Sequence, residues 1–442
     1  MSAEVPVSRV QPPAAPADAV PPAALAPDGY LPRVADAAMA SALEAVPIVV
    51  VEGVKGCGKT WTGLRHAASK VMLADTPAAR QGAEVVPRHV LRGPRPRLLD
   101  EWQTVPSIWD AARHVVDEAR QAGCFVFTGS ARPADDVTRH SGAGRVRRVR
   151  MRPMSLFESG ESDGSVSLGA LLDGGGCDGA GSDVTVTDMA EIVCRGGWPR
   201  NLGRPAEAAG ELLEGYLDEM ARLDLPEASG RRHNPARVMR LLASLARNTA
   251  SPASLTTLAR DVAGDPPLSW SATAGYLDAL ERVFLVEDLP VWPVRLRSRA
   301  RLQQSPKRHF VDPSLAAAVL GATPSRLLDD LATLGLLFES LVVRDLRVYA
   351  SVSRAEVYHA RSSYGHEFDA VVERRDGAWL AVEVKLGAGR VDDAARSLLR
   401  ACAEVDTSDR GEPADKLVIT AAGYAYRRPD GISVVPIGAL GP

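Results

Sequence analysis

The octet GVKGCGKT (53–60) satisfies the pattern G-x-x-x-x-G-K-[ST], and each residue type in it has a chemical task. Gly53, Gly56 and Gly58 allow tight or positive-φ turns, so successive backbone N–H groups, that of Cys57 included, converge on phosphate oxygens at a positive helix end. Lys59 can reach the β- and γ-phosphates. The Thr60 hydroxyl can ligate Mg²⁺, and Trp61 follows at the mouth of the loop.

Such a loop needs an acidic strand end to hold the metal and a group that polarises water. RLLDE (97–101) offers both. Its leucines bury the strand, Asp100 acts in the metal's coordination shell, and Glu101 is the candidate general base. Ser130, in TGS after a third strand, can sense the terminal phosphate from an adjacent strand or serve as a helix cap. Arg145 opens a basic run (Arg145, Arg147, Arg148, Arg150, Arg152). It could act on a neighbouring subunit's phosphate, or the run could be a solvated strand edge.

A second constellation lies near the end of the chain. Asp369 in EFDAVV precedes the triplet Glu383-Val384-Lys385. Residues i and i+2 of a strand share a face, so Glu383 and Lys385 project together, and Asp369 on a neighbouring strand can meet Glu383 around a metal ion. This arrangement resembles the PD-(D/E)xK nuclease signature, and the resemblance implies that Glu339, on a preceding helix, takes an additional acidic position. It suits either cleavage or an inactive docking module.

The elements that must position these groups can be read from periodicity. A β-branched strand at 46–51 precedes the loop, and residues 61–71 are predicted as the helix after it. Strands at 97–101 and 124–128, with a helix over 107–122 between them, imply a parallel α/β sheet. Residues 159–183, rich in Gly, Ser and Asp, read as a surface loop. Helices are predicted at 235–250, 254–262 and 270–282. Short strands around 283–289 and 307–311 complete a winged-helix-like pattern, with an arginine-rich stretch (294–301, plus Lys307 and Arg308) available to phosphates. A helix at 327–349 then leads into strands at 356–359, 367–374, 379–385, 416–420 and 433–436, with a helix at 392–402 among them.

Composition narrows the class. A formal net charge of −3 means that any nucleic-acid contact must come from local basic patches. Five scattered cysteines form no C-x-x-C pair, which points to a reduced cytoplasmic protein without structural zinc. No apolar run is long enough to span a membrane, and the amino terminus has no secretory pattern.

Several stretches together carry a family resemblance: GVKGCGKT, LLDEWQ (98–103), FTGSAR (127–132), AGRVRRVRMRPMSLFE (143–158), GGWP (196–199), FVDPSLAAAVLG (310–321) and GLLFESLVVRDL (335–346). The chain resembles the AAA-type P-loop ATPases of a widespread prokaryotic family that carry a C-terminal domain of unknown function. The resemblance implies ATP and Mg²⁺ as cofactors and nucleotide sites at subunit boundaries, hence a homo-oligomer; it gives no substrate. The expected organisation is a tail (1–28), an α/β AAA-type ATPase domain (29–200), a helical winged-helix-like domain (201–322) and a nuclease-like α/β domain (323–442). DNA is the candidate macromolecular partner.

Overall fold

The computed structural model describes residues 25–132, 142–229, 233–262, 269–295, 305–408 and 410–442. Its first sheet is built from β1 (Ile48–Glu52), β2 (Ser69–Met72), β3 (Arg97–Asp100), β4 (Phe125–Gly129) and β5 (Val146–Arg150). All are parallel, in the order β2-β3-β4-β1-β5. β1 is buried along its whole length. Val49 and Val51 enter one core while Ile48 and Val50 enter the other, which is why this strand reads as a continuous β-branched run. Helix α1 (Ala35–Ala45) places Met39 and Ala42 in the first core, and α3 (Ser107–Ala119) places Ile108, Trp109, Ala112 and Val116 in the second.

The helix after the loop, α2, is shorter than its sequence suggested. It spans Lys59–Arg65, and residues 69–72 form the edge strand β2. Four residues with only one buried side chain give no clear period, so pairing with β3 decides their conformation. The Gly/Ser/Asp-rich segment is also not a free loop. Leu168 and Leu171 are fully buried, Val166 pairs with Leu440, and Gly181 pairs with Tyr424.

The middle of the chain holds α4 (Val186–Arg195), α5 (Ala206–Glu219), α6 (Pro235–Arg247), α7 (Leu255–Asp261) and α8 (Trp270–Arg282). An antiparallel pair follows, β6 (Val286–Leu289) and β7 (Lys307–Phe310), with Leu289 opposite Lys307. Residues 296–301 of the arginine-rich stretch lie outside the described residues. Lys307 and Arg308, expected beside phosphates, instead turn inward, and their side chains are 2% and 11% exposed.

After α9 (Pro313–Val319) and the 20-residue α10 (Leu331–Ala350) comes a six-stranded mixed sheet. Its strands are β8 (Ala355–Arg361), β9 (Glu367–Arg374), β10 (Trp379–Lys385), β11 (Asp415–Thr420), β12 (Tyr426–Arg427) and β13 (Ser433–Pro436), in the order β8-β9-β10-β11-β13-β12. Helix α11 (Val391–Glu404) covers one face with Ala394, Ala395 and Leu398 against Phe368, Trp379 and Val418. The other face shares its core with α10. Among the described residues no helix is long and apolar enough to cross a membrane.

Candidate functional site

The phosphate loop leaves the carboxyl end of β1. A Cβ at residue 53 would lie 2.1 Å from the Met151 carbonyl oxygen, so only glycine fits there. Gly56 and Gly58 have φ of +84° and +104°, the left-handed region the loop needs to aim its N–H groups inward. Lys59, 4% exposed, donates its Nζ–H to the Val54 carbonyl at 2.9 Å, within the loop itself. Trp61 is 46% exposed at the start of α2.

The strand order supplies the neighbours. β4 lies between β1 and β3, so Thr128, at its carboxyl end, comes between the loop and the acidic strand. Asp100 Oδ1 accepts from Thr60 Oγ1 at 2.8 Å and from Thr128 Oγ1 at 2.5 Å. Burial pushes the Asp100 carboxyl up, while these two hydroxyls favour its ionised form. A hydroxyl and a carboxylate facing each other beside the loop are oxygen donors of the kind Mg²⁺ takes, so the residues present fit that ion.

Glu101 adopts φ +52°, an uncommon conformation for a residue other than glycine. Its Oε2 accepts from Ser130 Oγ at 2.7 Å and from the Ser130 backbone N–H at 3.3 Å, and Gln103 reaches the same oxygen. The structure thus brings Lys59, Thr60, Asp100, Glu101 and Ser130 to one end of the sheet, where ligands of open α/β folds bind. Trp102 is packing: it stacks on Trp109 at 5.2 Å.

Arg145 is not brought to this end. It lies at the amino end of β5, next to the residue that pairs with Ile48, and forms a surface ion pair with Asp117 at 2.5 Å. The length of β1, about 13 Å, separates it from the loop. The rest of the basic run is largely committed elsewhere. Arg148 and Arg132 both hold the buried Glu52, and Arg150 and Arg152 join Arg347 on Glu287.

Two supports of the loop carry no catalytic signature in the sequence. Buried Arg33 donates to the Cys57 carbonyl at 2.7 Å, to the Arg152 carbonyl at 2.7 Å and to Glu158 at 3.0 Å. Nothing marks this arginine in the sequence, although its partner Glu158 completes a readable S-x-x-E capping box with Ser155. The second support is GGWP. Trp198 lies 3.7 Å from where a Cβ on Gly56 would sit, and Pro199 equally close to such an atom on Gly58. Trp198 Nε1 donates to Ser314 Oγ at 3.0 Å, and the Gly197 N–H donates to Asp312 at 3.1 Å.

Asp312 then accepts from Arg344 at 2.7 Å, and Arg344 is also paired with Asp345 at 2.7 Å. Burial pushes the Asp345 carboxyl up to about 6, although Arg344 pulls the other way. Asp345 in turn accepts from the Leu156 N–H at 3.0 Å. GGWP, FVDPS and the RD of GLLFESLVVRDL are therefore one buried polar network between the phosphate loop and α10.

The structure also gathers Glu339, Asp369, Glu383 and Lys385, and adds Glu367 and Lys307. Lys307 Nζ lies 2.8 Å from Glu339, 2.7 Å from Glu367 and 3.6 Å from Asp369. Lys385 Nζ lies 2.8 Å from Glu383 and 3.6 Å from Asp369. Burial opposes the Lys307 charge, yet Glu339, Asp369 and Glu367 hold its ammonium above the ordinary lysine range. Burial, with Asp369 nearby, raises the carboxyls of both Glu339 and Glu383. Among the described residues no group of three or more His, Cys, Asp or Glu side chains is arranged to hold a metal ion. Glu367 was readable as the same-face neighbour of Asp369; Lys307, from a different sheet, was not.

Three family models match separate stretches of the chain. Residues 45–159 match the AAA domain family, residues 186–326 a domain of unknown function (DUF8612) and residues 334–440 another (DUF4143). Uncharacterized proteins of Mycobacterium tuberculosis and Mycobacterium bovis are each 25% identical over 353 residues, covering 77% of this chain and 71% of theirs. Among solved structures, a Walker-type ATPase of Pyrococcus abyssi aligns at 12% identity with a TM-score of 0.42, covering 68% of this chain and 99% of that one. The replication initiator DnaA, bound to AMPPCP and single-stranded DNA, aligns at 10% identity with a TM-score of 0.25, covering 56% of this chain and 86% of that one. The match over residues 45–159, together with the loop geometry, makes this segment an AAA-type P-loop domain.

Proposed function

We propose that the chain is a Mg²⁺-dependent, ATP-binding and ATP-hydrolysing AAA-type protein that couples nucleotide state to its C-terminal region. The observation that carries this reading is the convergence of Lys59, Thr60, Asp100, Glu101 and Ser130 at one end of a parallel sheet. In this reading Lys59 exchanges the Val54 carbonyl for β- and γ-phosphate oxygens. Thr60 and Asp100 would hold Mg²⁺, which neutralises charge developing on those oxygens. Glu101, aimed by Ser130, orients the attacking water and takes its proton. Arg145, at the opposite end of the sheet, can serve only a neighbouring copy's nucleotide, so that role requires a homo-oligomer.

The coupling runs through Trp198, Ser314, Asp312 and Arg344 to α10. Its targets are a winged-helix-like unit (201–322), supported by three helices followed by a hairpin, and a nuclease-like unit (323–442), supported by a mixed sheet carrying Asp369, Glu383 and Lys385. DNA is the proposed partner of this part, and the cytoplasm the proposed location. The test is ATP turnover by the purified chain with Mg²⁺, with and without DNA. A DNA-stimulated rate that Lys59→Ala abolishes supports the proposal. Absence of both triphosphate binding and turnover in folded protein retires it.

A second reading is favoured by Lys307. With an ammonium seated among its carboxylates, the C-terminal unit is a docking module without nuclease activity. The chain is then an ATP-controlled switch or scaffold.

A further inference from the structure

We infer that Lys307 is the resident cation of the C-terminal carboxylate cluster. Its ammonium occupies the place between Glu339, Glu367 and Asp369 that a divalent metal would take, which joins the β6–β7 pair to the C-terminal sheet and closes the cluster to metal. This deepens the docking reading above and rests on it.

Three observations converge. The first is geometry. Asp369 is engaged through both oxygens: Oδ1 faces Lys307, while Oδ2 faces Lys385 and accepts the Val384 N–H at 2.8 Å. One lone pair is taken by that N–H, and each oxygen faces an ammonium at 3.6 Å, so a metal approaching Asp369 meets a cation on either side. The second is charge. Four carboxylates (Glu339, Glu367, Asp369, Glu383) meet Lys307, Lys385 and, 3.7 Å from Glu367, Arg361. Three cations thus balance most of the charge of four carboxylates, which removes most of the attraction that would draw a divalent ion in.

The third is residue choice. The chain has only six lysines, at 55, 59, 70, 307, 385 and 416. An ammonium is a compact point charge that fits among three oxygens, where a planar guanidinium needs a fork-shaped site. The segment around Lys307 is also tied down. His309 Nδ1 lies 3.0 Å from Ser340 Oγ, and Trp292, which follows β6, is buried against Phe368 and Trp379. Lys307 is therefore seated by packing on both sides of the hairpin, and its contact is a joint rather than a passing salt bridge.

The experiment has two arms on the nucleotide-free full-length chain. In the first, Mn²⁺ is titrated and free ion is read by electron paramagnetic resonance. Wild type and Asp369→Asn should bind alike, while Lys307→Gln should gain one Mn²⁺ per chain and lose it again when Asp369→Asn is added. A wild-type site that Asp369→Asn removes overturns the inference, as does a folded Lys307→Gln that gains no site. In the second arm, which needs no variant, wild-type amines are reductively methylated and mapped by mass spectrometry. Lys307 should label at least ~10-fold more slowly than exposed Lys70; equal rates overturn the inference. Neither arm reads ATP turnover, so a loss of the ATPase proposal would be seen separately.

Discussion

Trp198 and Ser314 share one buried hydrogen bond, indole Nε1–H to Oγ at 3.0 Å, while the indole ring lies over Gly56 of the phosphate loop. Ser314 donates onward to Asp312 at 2.6 Å, and Asp312 holds Arg344 of α10. A change in the loop on triphosphate binding thus meets a side chain whose other end is fixed to the C-terminal half of the molecule.

Trp198→Phe keeps an aromatic ring over the loop and removes only the donor. The buried Ser314 hydroxyl retains Asp312 as a partner, so the expected loss is about 1 kcal/mol in chemical denaturation. The larger effect should be functional, with ATP still bound but DNA-stimulated turnover reduced towards the basal rate. If stimulation survives intact in a stably folded Trp198→Phe protein, the Trp198 path does not carry the coupling.

Glu101→Gln separates binding from turnover. The amide can keep a hydrogen bond from Ser130 but cannot accept a proton from water. Triphosphate affinity should stay within a few-fold of wild type, while single-turnover hydrolysis falls by about 10²–10⁴-fold. Lys59→Ala should instead weaken binding itself. Calorimetry alongside single-turnover kinetics distinguishes the two patterns, and a Glu101→Gln chain that turns over normally removes Glu101 as the base.

Glu287 gives a pH signature of stability. Burial alone would raise its carboxyl, but Arg152, Arg150 and Arg347 hold it well below the ordinary glutamate range. A depressed folded-state pKa stabilises above the unfolded value, about 4.3, and that contribution is lost as pH falls through the folded pKa. The stability gap between wild type and Glu287→Gln should therefore be constant near neutrality and narrow below pH ~4. A gap that narrows on going alkaline, between about pH 6 and 8, would assign it to another group.

Much of the candidate nucleotide site was legible because its residues are local to strand ends. The octet, the acidic pair and TGS each sit at a strand end, and alternating strands and helices bring strand ends together. What could not be read depends on distant partners. Trp198, Asp312 and Arg344 lie in three separated strings that look like an ordinary turn, a helix start and a helix interior until the fold brings them into one hydrogen-bonded set. Residues 69–71 read as helical because an edge strand with one buried side chain has no distinctive period. Residues 159–183 read as a loop because their Gly and Asp outnumber the three leucines that anchor them. The Asp369, Glu383 and Lys385 grouping followed from strand periodicity, and Glu339 from the resemblance to the nuclease signature. The cation among them comes from another sheet, where no spacing rule reaches.

Arg33 tests whether the loop is held from behind. One guanidinium bonds the Cys57 carbonyl within the loop, the Arg152 carbonyl beyond β5 and the Glu158 carboxylate. A planar, multidentate donor can span three acceptors that lie in different directions, and an ammonium cannot fill the same set. Arg33→Lys preserves charge for Glu158 but should lose at least one carbonyl contact, loosening Cys57 and Gly58 where the amides must converge on phosphate. We expect ATP affinity to fall about tenfold while the melting temperature drops by only a few degrees. Arg33→Ala leaves buried Glu158 without its guanidinium and should cost about 3–5 kcal/mol of stability. If Arg33→Lys binds ATP as wild type does, the loop's own glycines and Lys59 suffice to shape it, and Arg33 serves only to neutralise Glu158.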